Sequence, residues 1–510
     1  VTALTSPPIR KPSVVIGRFG ATELTFIDFF CGAGGASTGL VEAGWTGVHA
    51  ANHWARAIET HNTNHPDIHH ICANINDLAM RTLRRCTLLW ASVICTEASP
   101  AGGKRRTGKS KKVAQGQDEL PLEEFGAISP DGFVNTRATA HDVYRYAEVH
   151  RPTYVVVENV PEFTTDWGGF AWWRQGIEML GYTSRIVSVN SAHVGNDSNA
   201  AAPQWRNRIY IVFVAVGAPI PDLEPRPLSR CDRCSKDVAG VQTWKNGNVV
   251  GAYREQYVYT CPDCASECEP YIRPAGQIID WKHLGPRIGD RPWKEFFKGK
   301  KGDPNRQSLG FGHVAPSTYR KIRIGLDTIV APVPRLVTVT HGADDDGRVK
   351  PVWAVPLPTR TAKIGEAVVV PPGAFITELR GGGSAARHIE QPLGTVTGNG
   401  YHHGIITPPA GMVIPYRKNC IPRDAHGHPL PTVSTRDSAG LLTGYEVLGD
   451  IAVEDCTYRM ITPREQMLAQ RFPGTYVMTG NGGEQTLQAG NAVSVNVARW
   501  IGEQVAAALS

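Results

Sequence analysis

Four stretches of this 510-residue chain hold residues whose types and spacing could do chemistry. In "LWASVICTEASPAGGKRR", residues 89–106, an apolar run leads into Cys95 and out through glycines into positive charge. Such a cysteine is either a nucleophile on a loop that meets nucleic acid or a buried thiol, the commoner fate of a free Cys. In "VVVENVPEF", residues 155–163, an apolar run ends in Glu158 and Asn159, so a carboxyl group and an amide stand at a strand end, ready for acid–base work or simply satisfied there. "PQWRNRIYIV", residues 203–212, sets Arg206 and Arg208 on one side of an incipient strand with Gln204 in phase. Alternate guanidinium groups suit planar or anionic partners, or make an ordinary charged strand face. "CDRC" at 231–234 and "CPDC" at 261–264 are paired C-x-x-C knuckles with 26 residues between them. Four thiolates so spaced close a tetrahedral zinc site and staple a small β element, with Cys268 as a spare ligand.

Two further features bear on ligands. "FIDFFCGAGGASTGL", residues 26–40, puts Gly32, Gly34 and Gly35 between a strand and a helix, which permits close backbone approach and leaves helix N-terminal amides for a ligand. "GKRRTGKSKK", residues 103–112, is dense in lysine and arginine with no acid, the composition of a phosphate-contacting or merely solvated loop.

These residues need a scaffold. From Leu24 short apolar runs alternate with helical stretches: "LTFIDFF", "GVHAAN", "TLLWASVIC", "TYVVVENV", "TSRIVSVN" and "RIYIVFVAV" read as strands. "ASTGLVEAGW", "HWARAIETHNTNHP", "NTRATAHDVYRYAEVHRP" and "FAWWRQGIEMLGY" read as helices. Such alternation predicts an α/β fold with a doubly wound, mainly parallel sheet and ligands at the carboxyl ends of its strands. It stops near Val216, and the residues that follow are rich in Pro, Gly and Thr. There "VPLPTRT", "QPLGTVT" and "HPLPTVST" recur, with Pro356, Pro392 and Pro429 spaced 36 and 37 residues apart, each followed by an apolar run. A fixed interval of this size predicts tandem β-rich units. Near the end, "TPREQMLAQRFP" and "NAVSVNVARWIGEQVAAAL" read as amphipathic helices.

Composition sets bounds. Hydrophobic residues at 41% and charged residues at 20% exclude wholesale disorder. The formal charge of +6 permits a polyanionic partner without requiring one. Eleven cysteines without an apolar signal-type leader or membrane-length apolar run predict a soluble intracellular protein whose thiols serve metal or catalysis.

In their order, "FCGAGG", a Cys after a strand, "ENV", the Gln-x-Arg-x-Arg strand, "TPREQMLAQRFPGTY" and "GNAVSVNVARWIG" resemble the motif series of the DNA cytosine-5 methyltransferase family. The resemblance covers about half the chain and implies a catalytic domain of the class I S-adenosylmethionine-dependent methyltransferase type. It places the nucleophile at Cys95, with Ser99 at the motif's later serine, Glu158 on the cytosine ring nitrogen and amino edge, and Arg206 on the base oxygen beside Arg208. It assigns the cofactor to Asp28, Phe30, Gly32, Gly34, Gly35, Trp54, Ile75, Asn491 and Val493. His53 and Asn74 stand where the family carries acidic residues. Val93 and Ile94 replace its usual proline pair before the nucleophile. Lys104, Arg105, Arg106, Lys109, Lys111 and Lys112 would bring charge to DNA phosphates.

The expected organisation is an N-terminal tail (1–20), a catalytic cofactor-binding domain (21–216), a target-recognition module (217–455) and C-terminal helices that complete the catalytic domain (456–510). Within the module a zinc ribbon spans about 228–270 and β-rich repeats about 335–445. The expected activity is methyl transfer to carbon 5 of cytosine in duplex DNA by a cytoplasmic, bacterial or phage-encoded monomer, with base flipping and a possible restriction partner. Alternatives are a catalytically impaired or altered-cofactor DNA-binding homologue, motivated by the departures above, and RNA cytosine methylation.

Overall fold

The computed structural model describes residues 23–94, 134–273 and 462–510 continuously, and between 275 and 460 the elements named below with short flanking stretches. Cys95, Ser99 and the basic run at 103–112 lie outside the described residues, as do most residues of the three repeat copies.

The alternation read from Leu24 onward yields β1 (Thr25–Phe29), α1 (Gly35–Glu42), β2 (Thr46–Asn52), α2 (Ala55–Asn64), β3 (His69–Cys72) and β4 (Leu88–Ser92). It continues through α3 (Val134–His150), β5 (Tyr154–Asn159), the short α4 (Glu162–Thr165), α5 (Phe170–Met179), β6 (Tyr182–Asn190) and β7 (Asn207–Ala215). The seven strands form one sheet in the order β3-β2-β1-β4-β5-β7-β6. All neighbours up to β5 are parallel, and β7 runs antiparallel to both β5 and β6. Phe26, Ile27 and Val155 to Val157 are fully buried, as strands covered on both faces must be.

The chain steps from β1 out to β3 and then returns to β4 and moves the other way to β5. Right-handed crossovers therefore set α1 and α2 on one face and α3 on the opposite one. The direction reverses between β1 and β4, so the crevice at their carboxyl ends is the expected ligand site. The glycine turn leaves β1 there, and the segment leading to Cys95 leaves β4 beside it.

Beyond β7, the two knuckles sit in a ribbon of β8 (Leu228–Cys231), β9 (Lys236–Ala239), β10 (Val241–Trp244), β11 (Tyr257–Thr260) and β12 (Glu269–Pro270). It forms a three-stranded sheet, β12-β8-β9, and a hairpin, β10-β11. The described residues group into two units: one of residues up to 273, with 392–393 and 466–510, and one of residues 275–391 and 403–465. The ribbon belongs to the first.

The second unit begins with the hairpin β13 (Lys294–Lys298) and β14 (Gln307–Gly312). Then follow β15 (Arg335–Thr338), β16 (Val349–Pro351), β17 (Glu366–Val369), β18 (Phe375–Glu378), β19 (Ala386–His388), β20 (His403–Thr407), β21 (Met412–Pro415), β22 (Arg423–Asp424), β23 (Ala439–Leu442) and β24 (Thr457–Met460). Three sheets share one plan, β16-β15-β17, β19-β18-β20 and β22-β21-β23, the second extended by β24. In each the first strand is central and both neighbours are antiparallel to it. The strands β17, β20 and β23 are the apolar runs that follow the three sequence repeats, so the 36–37-residue interval marks a repeated three-stranded unit.

The chain ends in α6 (Pro463–Ala469), α7 (Gly482–Asn491) and α8 (Val495–Leu509). The single helix expected over 491–509 forms as α8 but starts late: Asn491 ends α7, and Ala492 and Ser494 are extended, at φ/ψ of −72°/149° and −69°/120°. The break has a packing cause. Gly35 lies so close to this segment that a Cβ there would fall 2.1 Å from the Val493 carbonyl oxygen, and Gly39 meets the start of α8 in the same way. The indole of Trp45 donates to the Gly502 carbonyl at 3.0 Å. The last helix is thereby joined to the first. Among the described residues no helix is long and apolar enough to cross a membrane.

Candidate active site

The turn after β1 is built from left-handed backbone: Phe30, Gly32 and Gly34 have φ of 59°, 51° and 87°. At Gly34 a Cβ would lie 2.6 Å from the Tyr476 hydroxyl and 3.1 Å from the His61 ring, so a side chain is excluded on both backbone and steric grounds. Asp28 beneath the turn is fully buried. One carboxyl oxygen accepts from the Ser37 hydroxyl at 2.8 Å, while the other, Oδ1, has no partner among the described residues. Burial pushes this carboxyl up to about 7, against the lowering pull of the Ser37 bond.

The remaining residues expected to hold a cofactor flank this turn in sequence or register. Trp54 is half-buried and caps α2 as its amide donates to Asn52 Oδ1 at 2.9 Å. His53 is exposed. Asn74 is exposed, and its side-chain oxygen accepts weakly from the Asn76 amide at 3.4 Å, next to the buried Ile75. Asn491 is exposed at the end of α7, and Val493 is buried against Gly35. A cradle too tight for any Cβ, with an unpartnered buried carboxylate oxygen under it, fits a ligand that carries positive charge and approaches the backbone closely.

Sequence reading missed a relay of histidines behind the turn. His61 Nε2 lies 2.9 Å from the Ser37 hydroxyl and its Nδ1 lies 2.8 Å from His70 Nε2. Thr38 Oγ1 lies 2.9 Å from His65 Nε2. The signal was present as His61 and His65 one helical turn apart, which share a face. Desolvation lowers His49 and His65 to about 4, His193 to about 3, and His61 well below its usual range. A histidine whose folded pKa is depressed supports the fold above its ordinary pKa of ~6.5 and loses that support as pH falls toward the folded value. Asp28 acts the opposite way, since a raised carboxyl loses stability as pH climbs from its ordinary value to about 7. His70 is lowered by desolvation too, so five histidines against the three carboxyls that burial raises, Asp28, Asp142 and Glu162, decide the sign. The melting temperature is expected to fall steadily between pH 6.5 and 4, and a flat thermal-scan profile across that window would contradict this burial.

At the next strand ends, Ser92 pairs in register with Glu158. Asn159 Nδ2 donates to the Val93 carbonyl at 3.3 Å, which fastens the segment two residues before Cys95. Glu158 and Arg208 form a buried pair: Arg208 Nε donates to Glu158 Oε1 at 3.0 Å, with side chains only 13% and 10% exposed. Arg208 also donates to the Asn207 carbonyl at 2.8 Å.

The two arginines read as one grip have different partners. Arg206 precedes β7 and is buried. Its guanidinium donates to the Ala492 carbonyl at 2.8 Å and more weakly to that of Gly490. The extended segment between α7 and α8 needs donors for its carbonyls, and Arg206 supplies them. Asn496 answers from the other side, with its amide nitrogen on the carbonyls of Ser191 and Val194. The guanidinium beside Glu158 is thus that of Arg208.

The knuckle cysteines converge. The ligand atoms of Cys231, Cys234, Cys261 and Cys264 all lie within 4.8 Å of one another, with Sγ separations of 3.6 Å for Cys231–Cys264 and 3.9 Å for Cys234–Cys261. A tetrahedron of ~2.3 Å zinc–sulfur bonds has edges of ~3.8 Å. Each knuckle is followed by a left-handed residue, Ser235 or Ala265. Ser266, through its hydroxyl and then its amide, brings the Cys264 thiol down to about 6, while bonding to Cys264 and Cys231 pushes Cys234 up to about 12. Four thiolates so close cannot coexist without a cation. Cys268 is buried outside this cluster, with its amide bonded to Tyr259.

Comparison with known proteins adds to this geometry. The model of the C-5 cytosine-specific DNA methylase family matches residues 24–115 and 423–507. The Type II methyltransferase M.AgeI of Thalassovita gelatinovora is 26% identical over 207 residues, 39% of this chain and 41% of that protein, so the match spans less than half of the relative's length. Among solved structures, a DNA modification methyltransferase encoded within an E. coli prophage superposes with a TM-score of 0.41 at 14% identity, covering 95% of this chain and 99% of that one. The DNMT2 of Spodoptera frugiperda gives 0.43 at 12% identity, covering 94% and 99%. The glycine turn, the Cys95 segment and both closing motifs lie inside the matched ranges, so over about a third of its length the chain is similar to the C-5 cytosine-specific DNA methylase family.

Proposed function

We propose that this protein transfers a methyl group from S-adenosylmethionine to carbon 5 of cytosine in duplex DNA. The observation that carries the reading is the convergence, at one edge of the sheet, of the glycine turn, the segment leading to Cys95 and the buried Glu158–Arg208 pair. Cytosine carbon 5 is a poor nucleophile until a thiolate adds at carbon 6. Cys95 makes that bond, and Glu158, held by Arg208, binds the ring nitrogen 3 and amino edge and favours the adduct by protonation there. The electron pair pushed to carbon 5 takes the methyl group. Loss of the carbon 5 proton to a base then expels the Cys95 thiolate and restores the ring double bond. Arg208, rather than Arg206, holds the base oxygen in this reading, supported by its bond to Glu158, while Arg206 secures the closing motif. The cofactor supplies an electrophilic methyl group, and the residues that would hold it are Asp28, Phe30, Gly32, Gly34 and Gly35, with His53, Trp54, Asn74, Ile75, Asn491 and Val493. Since the target carbon lies within a stacked duplex, the base must be flipped out. The basic run from Lys104 to Lys112 supplies phosphate contacts, and the four knuckle cysteines bind structural zinc.

Tritiated methyl transfer tests this reading, with mixed-sequence duplex DNA and transfer RNA as alternative acceptors. Incorporation into duplex DNA is expected. Transfer to RNA alone would move the activity to RNA, and DNA binding without any transfer would mark an impaired homologue.

A further inference from the structure

The zinc ribbon is packed on the segment that carries both arginines. Trp205, between Gln204 and Arg206, belongs to the apolar core formed by Cys231, Tyr253, Tyr257, Tyr259 and Cys261. Its ring stacks on Tyr253 at 6.1 Å and 9°. Buried His193 stands edge-on to Trp205, Tyr253 and Tyr259 at 5.2, 4.3 and 5.4 Å. The Tyr253 amide reaches Asn207 Oδ1 at 3.3 Å, an oxygen that also accepts from Asn190 at 2.8 Å. Asn207 in turn gives its carbonyl to Arg208, which holds Glu158. On β6, the strand paired with β7, Ser188 is gripped twice: Gln242 donates to its carbonyl at 2.9 Å and the Gly251 amide to its hydroxyl at 3.3 Å.

We propose that the metal-bound ribbon is the positioning device for the Glu158–Arg208 pair, with Trp205 and Asn207 as the positioning residues that join the knuckles to the reaction site. The inference rests on the methyl-transfer reading and on zinc at the four cysteines. A ribbon this small has little core, and four metal bonds supply the rigidity it lacks. Tyr257 and Tyr259 lie on β11, which runs directly into Cys261. Loss of the metal therefore loosens the aromatic cluster first, then the 204–208 segment, and with it the angle at which Arg208 presents Glu158. Misplacement by ~1 Å at a reacting group can cost ~10²-fold in rate.

The full chain, assayed before and after zinc is withdrawn by a chelator, tests this. Elemental analysis is expected to find one zinc per chain, and a chain without metal would overturn the inference. On chelation, hydrogen exchange should speed up in peptides spanning 203–210, while peptides of β1 and α1 keep their protection. In the methyl-transfer assay kcat should drop at least tenfold with KM for S-adenosylmethionine unchanged. Trp205→Ala should reproduce the loss with zinc still bound, and Trp205→Phe should recover most of it. Unchanged exchange at 203–210 after metal loss, or full kcat in Trp205→Ala, would overturn the proposal. If the zinc-loaded chain transfers no methyl group at all, the functional reading fails, whereas the exchange result still decides whether the ribbon holds the segment.

Discussion

Replacing Cys95 by alanine is expected to lower methyl transfer by at least ~10³-fold while leaving DNA and S-adenosylmethionine binding within a few-fold of the parent, because in the proposed mechanism the thiol acts only through its covalent bond to the base. No other cysteine of the catalytic sheet can replace it on present geometry. Cys31 and Cys86 are buried, and desolvation pushes the Cys31 thiol far up and that of Cys86 to about 12, which leaves neither with a usable thiolate. Cys72 ends β3, at the edge of the sheet farthest from Glu158. DNA containing 5-fluorocytosine gives a direct reading, since the adduct cannot eliminate once fluorine occupies the position of the departing proton. The parent should form a complex that survives denaturing electrophoresis, and Cys95→Ala should not. Methylation by the alanine variant would make Cys95 a core thiol.

The features that reached the sequence as periodicity were legible. Short apolar runs separated by helical stretches announced the sheet, and the 36–37-residue interval announced the three repeated three-stranded units, the second of them extended by β24. The paired knuckles were legible for a different reason: C-x-x-C spacing meets the needs of a tetrahedral four-thiolate site whatever the surrounding core. What escaped was set by long-range contact. Alternation put Arg206 and Arg208 on one face, but β7 starts only at Asn207, and carbonyls almost 300 residues later decide where Arg206 points. The late start of the C-terminal helix escaped because the extended residues before it pack on Gly35, more than 450 residues earlier. One local signal was overlooked. Asn481 and Glu484 form a reciprocal capping box that marks the start of α7, and Asn-x-x-Glu before a helical stretch could have been read directly.

The same distinction governs the second large effect, at Glu158. Glu158→Gln keeps an oxygen for Arg208 and removes only the charge and the exchangeable proton, so kcat should fall ~10²–10⁴-fold, the usual worth of a positioned acid–base group, with little change in melting temperature. Glu158→Ala goes further. It takes the carboxylate from a guanidinium whose side chain is only 13% exposed, and breaking a buried pair from one side costs roughly 3–5 kcal/mol. The alanine variant should therefore lose activity and melt markedly lower, whereas the glutamine variant should lose activity alone. Comparing the two in parallel assays of kcat and thermal unfolding separates chemistry from packing. A glutamine variant with the parent's kcat, beside an alanine variant that is both unstable and slow, would mean that Glu158 serves only to neutralise Arg208 and that the proton at ring nitrogen 3 comes from another group.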